Sequence, residues 1–191
     1  MNQISKKFFS NNQLKSLRGF TLVEVLIVMA IIVILSGMSL TIHHSGTKTY
    51  ALQRSAQKLA QDIDYAKTLA MNSQTFQGIN PPTTPPGGYG IHLIPNTRSY
   101  ILYADLNGNK KYDQNYDGIV QNISLEKGIN IYNASSFPLP LSINFTPPSP
   151  LVTLSSGDQA LIILCIQDTN CVTPQNTKTI RVYKTGLIEV E

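Results

Sequence analysis

The 191-residue chain has no tryptophan, two cysteines and three histidines, so the side chains that most often carry catalysis are nearly missing. His43 and His44 adjoin an apolar run, which leaves His92 alone to serve a cysteine–histidine nucleophilic pair. A closed zinc site takes four nitrogen or sulfur ligands, and Cys165, Cys171 and the three histidines are badly spaced to supply them. The composition points away from an enzyme. Charged residues make up only 14% of the chain, against roughly 25% in an average soluble domain. The net charge of +4 suggests nucleic-acid binding, but the excess is local. Lys6, Lys7, Lys15 and Arg18 stand at the start without an acid among them, and from residue 20 onward eleven basic residues face eleven acidic ones. Bulk attraction to nucleic acid therefore has no support once that segment is set aside.

What the chain does contain is a long apolar run. Residues 20–42 are apolar except for Thr21, Glu24, Ser36, Gly37, Ser39 and Thr41. A helix of that length spans about 35 Å, enough to cross a hydrocarbon core. The basic flank before it predicts an N-terminus on the cytoplasmic side. A secretory signal peptide cut near Ser36-Gly37-Met38-Ser39 is the alternative. The run is long for that, and Glu24 lies inside it. An unpaired carboxylate in a membrane helix costs about 3 kcal/mol or more, and a signal peptide has no use for it.

The string Gly19-Phe20-Thr21-Leu22-Val23-Glu24, followed by the apolar run, resembles the processing signal of type IV prepilins and pseudopilins. The resemblance implies that a prepilin peptidase cuts between Gly19 and Phe20 and methylates the new N-terminus of Phe20. It also implies that Glu24 pairs with the corresponding amine of a neighbouring subunit during filament assembly. A charge that is costly alone in lipid then sets the register between helices. Many major pilins have a proline near position 41, where this chain has Thr41. Gly37 can loosen the helix by about 1 kcal/mol relative to alanine, but a sharp kink is not encoded.

Beyond residue 45 the pattern becomes amphipathic. Leu52, Ala56, Leu59, Ile63, Ala66 and Ala70 recur in steps of three and four, while Arg54, Lys58, Asp62, Asp64 and Lys67 lie elsewhere on the wheel. Glycine and proline are absent from 47 to 77, which predicts a helix to residue 77. Such a face is expected to pack on its own domain, with a partner-binding coiled coil as the alternative.

Residues 78–88 hold four prolines and three glycines and end the helix. Short β segments follow at 89–94, 99–104, 118–124, 129–133, 141–145, 151–155, 160–166, 178–184 and 187–190, with Asn, Gly, Pro and Ser turns between them. The expected fold is α+β: a long N-terminal helix, membrane-spanning in its first half and amphipathic in its second, packed on a C-terminal antiparallel β-sheet domain. The expected divisions are a cleaved basic leader 1–19, an assembly helix 20–42, an amphipathic helix 43–77 and a periplasmic globular domain 78–191.

The order of features is similar to GspH/FimT-type minor pilins. The matching residues are the helix segments Ala56–Ala60 and Tyr65–Lys67, the strand opening at Tyr89-Gly90-Ile91, and the Asp/Asn loop from Asp105 to Asp117. They continue with Leu125–Ile129, Ile143–Phe145 and Arg181–Gly186. That resemblance implies a structural subunit that helps initiate or cap a type IV pilus or a type II secretion pseudopilus. Its implied partners are the prepilin peptidase, major and other minor pilins or pseudopilins, and the bacterial inner membrane, which it crosses once before joining a hetero-oligomeric filament tip. The alternative is a DNA-binding minor pilin for DNA uptake.

Three further groups invite a site. Asp105, Asn107 and Asn109, and then Asp113, Asn115 and Asp117, put oxygen side chains at positions 1, 3 and 5 of a calcium-loop pattern. Neither run completes an EF-hand, and the other reading is an Asx-rich hairpin loop bonding its own backbone; calcium is the sole cofactor raised. Cys165 and Cys171 enclose five residues, and a domain outside the cytoplasm favours a disulfide between them over a redox thiol pair. Lys178, Arg181 and Lys184 form a modest basic cluster. In DNA-uptake relatives a basic Gly-Arg-x-Arg segment contacts phosphate. Here Gly186 leads into Leu187-Ile188-Glu189-Val190-Glu191, so DNA is an unlikely partner and the three cations suit a solvated strand face.

Overall fold

The structure is a computed structural model that describes residues 19–132, 141–148, 152–154, 158–167 and 169–191, and the side chains of all of these but 38–46. Lys6, Lys7, Lys15 and Arg18 of the basic leader lie outside the described residues. The chain divides into two compact units, Met1–His43 and His44–Glu191. Helix α1, Leu22–Met71, supplies the described structure of the first unit and the opening element of the second.

In the first unit the described apolar side chains of the helix are exposed. Leu22, Leu26, Ile27, Val28, Met29 and Val33 are all at least half exposed. Among the described residues no helix is long and apolar enough to cross a membrane. The described side chains of this stretch stop at Gly37, short of the roughly 20 residues a span requires.

The second unit is built around the stripe read from the sequence. Leu52, Ala56, Leu59, Ile63, Ala66 and Ala70 are essentially inaccessible and share one core with the inner faces of two antiparallel sheets. The own-domain reading of this helix face is the correct one. One sheet contains β1 (Gly88–Leu93), β2 (Ser99–Asp105), β3 (Gly118–Ser124), β5 (Leu141–Phe145) and β6 (Val152–Leu154), in the order β3-β2-β1-β5-β6. The other contains β4 (Ile129–Tyr132), β7 (Gln159–Ile166), β8 (Thr177–Tyr183) and β9 (Ile188–Val190), in the order β4-β7-β8-β9. Period-two alternation selects the inward residues: Tyr89, Ile91 and Leu93; Tyr100, Leu102 and Ala104; Leu141, Ile143 and Phe145; Ala160, Ile162 and Leu164; Ile180 and Val182.

Polar contacts fix how the helix lies on the first sheet. The Tyr100 hydroxyl donates to Asp62 Oδ2 at 2.5 Å. Burial and the Asp62 carboxylate hold that phenol far above the ordinary tyrosine range. Ser55 Oγ accepts the Glu126 N–H at 3.3 Å, and Arg54 pairs with Glu126 through two nitrogens at 2.7 and 2.8 Å. The Arg54 pair is largely exposed, so it orients the β3–β4 turn more than it stabilises the fold.

The helix ends at Met71, six residues before the limit of 77 expected from the absence of glycine and proline. Ser73 adopts a left-handed conformation with φ 47°. Its N–H bonds the Ala70 carbonyl at 2.9 Å and the Gln74 N–H bonds the Leu69 carbonyl at 3.0 Å. This is the Schellman closure, with serine where glycine is usual. Each of the β segments expected from the sequence corresponds to a strand, and no end differs by more than one residue.

Residues 106–117, between β2 and β3, fold back over the outer face of the first sheet. The Tyr112 ring lies 4.8 Å from His92 and 5.4 Å from Tyr103, and its N–H reaches Ser142 Oγ at 3.3 Å. Ser142 Oγ also lies 3.0 Å from His92 Nδ1. Beside them Asn144 donates to the Tyr103 hydroxyl at 3.5 Å and accepts from Thr146 Oγ1 at 3.1 Å. Tyr103 settles on Gly90, where a Cβ would approach its hydroxyl to 2.7 Å and the Ile143 carbonyl oxygen to 2.6 Å. The Tyr-Gly opening of β1 thus leaves room for an aromatic lid.

Two outcomes are expected from this packing. Leu59→Ala removes a fully buried side chain from the helix–sheet contact, and should lower the unfolding free energy by about 2–5 kcal/mol in urea titrations. Burial lowers the His92 pKa below its ordinary value. The unfolded chain therefore takes up the proton first, and stability falls as pH drops from about 6.5 through the folded-state pKa. Burial acts oppositely on Asp117, raising its pKa, so its protonation favours the fold at lower pH. Melting temperatures between about pH 7.5 and 5.5 should decline in the wild type, and His92→Gln should flatten that decline.

Candidate functional site

The N-terminal segment is the best-formed candidate. Gly19 and Phe20 precede the helix and are exposed, Phe20 by 82%. A Cβ built on Gly19 meets nothing within 4 Å, so the fold places no demand for glycine there. Thr21 closes the helix start: its Oγ1 accepts the Glu24 N–H at 3.2 Å, and its carbonyl accepts the Val25 N–H at 3.2 Å. Thr21-x-x-Glu24 is the sequence signature of a capping box, and Glu24 lies in the first turn, where the helix dipole favours an anion. Sequence reading had this signal available and missed it. Glu24 has no ion-pair partner among the described residues. It shares an open groove of about 250 Å³ with Phe20, Val25, Val28, Met29 and Ile32, whose spacing lines one face of the helix.

The Asp/Asn loop gathers most of the residues proposed for calcium, and the structure shows where their oxygens point. Asp105 is fully buried and accepts from the backbone N–H groups of Gly108 and Lys110, both at 2.7 Å. Asp117 accepts from Leu106 N at 3.1 Å and Asp113 N at 2.7 Å. Asn107 and Asn109 each accept from the backbone N–H two residues on, at 3.0 and 2.8 Å. The side-chain amides of both asparagines donate to Asp113 Oδ2. Asn115 is exposed on the turn. These are the bonds of a backbone-supporting Asx loop. Burial pushes the Asp117 carboxyl up, and its two backbone bonds pull it back only in part. The described residues contain no group of three or more His, Cys, Asp or Glu side chains placed to hold a metal ion.

Cys165 and Cys171 are joined by a disulfide, with Cα atoms 5.5 Å apart. Cys165 lies in the buried run Leu164–Ile166 that ends β7, and the bond ties the following turn back to that strand.

Lys178, Arg181 and Lys184 do not form one cationic patch. Strand alternation puts Lys178 and Arg181 on opposite faces of β8. Arg181 is bonded to Glu191 at 3.0 Å, and Lys184 lies 3.7 Å from Asp158. On the neighbouring strand Glu189 accepts from the Tyr183 hydroxyl at 2.9 Å. Carboxylates interleaved with the cations remove the positive field that a phosphate backbone requires.

Comparison with known proteins agrees with the N-terminal geometry. Residues 14–40 match the prokaryotic N-terminal methylation motif. The pilin-like protein PilA1 of Thermus thermophilus is 31% identical over 96 residues, which are 50% of this chain and 53% of that protein. The chain therefore spans about half the length of the curated relative it matches. The solved structure of EpsH, the minor pseudopilin of the type 2 secretion system of Vibrio cholerae, superposes with a TM-score of 0.44. It is 14% identical, over 73% of this chain and 95% of that one. The chain thus carries the prokaryotic N-terminal methylation motif at its start and is similar, over half its length, to a pilin-like protein.

Proposed function

We propose that the chain is a structural, non-enzymatic minor pilin or pseudopilin that helps initiate or cap a type IV pilus or type II secretion pseudopilus. The observation that carries this reading is the exposed Gly19-Phe20 junction, set before a capped helix whose described apolar side chains are exposed. A prepilin peptidase would cut after Gly19 and methylate Phe20. The apolar helix would then anchor the chain once in the bacterial inner membrane, with the globular unit in the periplasm, until it moves into the filament. In either setting the exposed side chains from Leu22 to Leu35 gain apolar neighbours, and neighbouring pilins supply the partner that Glu24 lacks. The interleaved carboxylates around Lys178, Arg181 and Lys184 favour this scaffold role over DNA uptake.

Intact mass of membrane-extracted protein tests the processing step. The expected mass is that of a chain beginning at Phe20 with one added methyl group. Loss of a segment ending near Ser39 would indicate an ordinary secretory signal instead. A Glu24→Ala variant should insert and be processed, yet enter filaments about tenfold less or worse, a change equivalent to about 1.4 kcal/mol. Wild-type incorporation of that variant would remove the assembly role from the carboxylate.

A further inference from the structure

The far end of the first sheet, beyond the end of α1, leaves a groove that the described residues do not fill. Across the strands Tyr89 pairs with Ala104, and Ala104 with Gly118. Two small residues in that row make a hollow on the inner face, and α1 stops at Met71. Phe76 fills part of it: a Cβ on Gly118 would strike its ring at 2.3 Å, as would one on Gly78. What remains is a groove of about 700 Å³, walled by Tyr65, Leu69, Phe76, Tyr89, Ile119 and Val120, with no charged side chain among its described lining residues. That volume is in the range of ligand-binding clefts.

The same groove runs along a sheet edge. Strand β3 is terminal in its sheet, and among the described residues no other strand or loop backbone pairs with its outer side. Exposed edges are usually blunted by charge, proline, shortness or cover. The other edges are blunted in this way. Residues Asn96 and Thr97 bond to Ile131 on β4, β6 and β9 have three residues each, and β9 carries Glu189. In contrast β3 has seven residues, none charged and none proline, and Ile119 and Val120 are 44% and 37% exposed. Its register shifts opposite Leu102 and Tyr103, which makes Val120 the extra residue of a bulge. Bulges re-aim side chains, and this one turns Val120 into the groove wall.

From these two features we infer that the β3 edge and its groove receive an extended, uncharged segment of a different pilin-like subunit, added as a further strand. Unpaired edge N–H and C=O groups specify an extended backbone, and the uncharged apolar walls specify its alternate side chains. A second copy of this chain fits poorly. A two-fold pairing of the whole strand centred on Gln121 sets Ile119 against Ile123 of the other copy. The bulge puts Ile119 on the Tyr103 face and Ile123 on the Tyr100 face, so the pleats mismatch. The inference rests on the filament-subunit reading and adds to it a contact surface in the globular unit.

The test uses the full chain in its own cells, with a photo-crosslinking amino acid at Asn122, an exposed position of β3. The expected result is an adduct identified by mass spectrometry as another chain bearing a pilin-type N-terminal motif, linked through an uncharged segment. Val120→Lys should cut that adduct about tenfold or more, while the melting temperature of the purified protein stays at the wild-type value. If Val120→Lys lowers the melting temperature, Gln121→Lys, at an exposed site on the same edge, takes its place. A correctly processed, filament-incorporated chain overturns the inference if position 122 gives no adduct, an adduct only with its own second copy, or one indifferent to both lysine variants. A chain that keeps its leader and gives no adduct overturns the filament reading together with the inference.

Discussion

Everything in the globular unit depends on one stripe of the helix staying narrow enough to press into two sheets at once. Ala56, Ala66 and Ala70 put only methyl groups on that stripe, between the larger Leu52, Leu59 and Ile63. Close approach lets a single helix complete one core with residues from both sheets, and burial of that apolar area is the main force that holds them together. The Tyr100–Asp62 bond then sets helix rotation against β2. Without the stripe, the sheets would present apolar inner faces to water.

Much of this was legible in the sequence because each element announces itself by period. The three-and-four spacing of Leu52 to Ala70 read directly as a buried face, and the strands read from alternation between turn residues. The end of the helix was not legible. Its stop depends on Ser73 accepting a left-handed conformation, which residue type alone does not signal as glycine would. The fold-back of residues 106–117 was equally hidden. His92, Tyr103, Tyr112 and Ser142 are scattered along the chain, and only sheet register brings them to one place.

The candidate sites divide along the same line. Gly19, Phe20 and Glu24 form a local motif, so it can be read from neighbouring residues alone, and it lies within the matched segment 14–40. The calcium pattern at Asp105–Asp117 matched in spacing, but spacing does not say what each oxygen accepts. In the fold those oxygens serve backbone N–H groups. The cations at 178, 181 and 184 looked like a cluster because they are near in sequence. A strand of period two separates Lys178 from Arg181, and acids from Asp158 to Glu191 occupy the gaps.

The open space around Gly19 has a consequence of another kind. At Gly78, Gly87, Gly88, Gly90 and Gly118 a side chain would collide with the protein's own atoms, so intolerance to substitution there would report on folding. At Gly19 nothing in the fold would register the change. Under the proposed processing, tolerance at Gly19 would measure the selectivity of the peptidase that reads it. On that reading the processing signal lies where the described architecture is silent, and the two can drift independently.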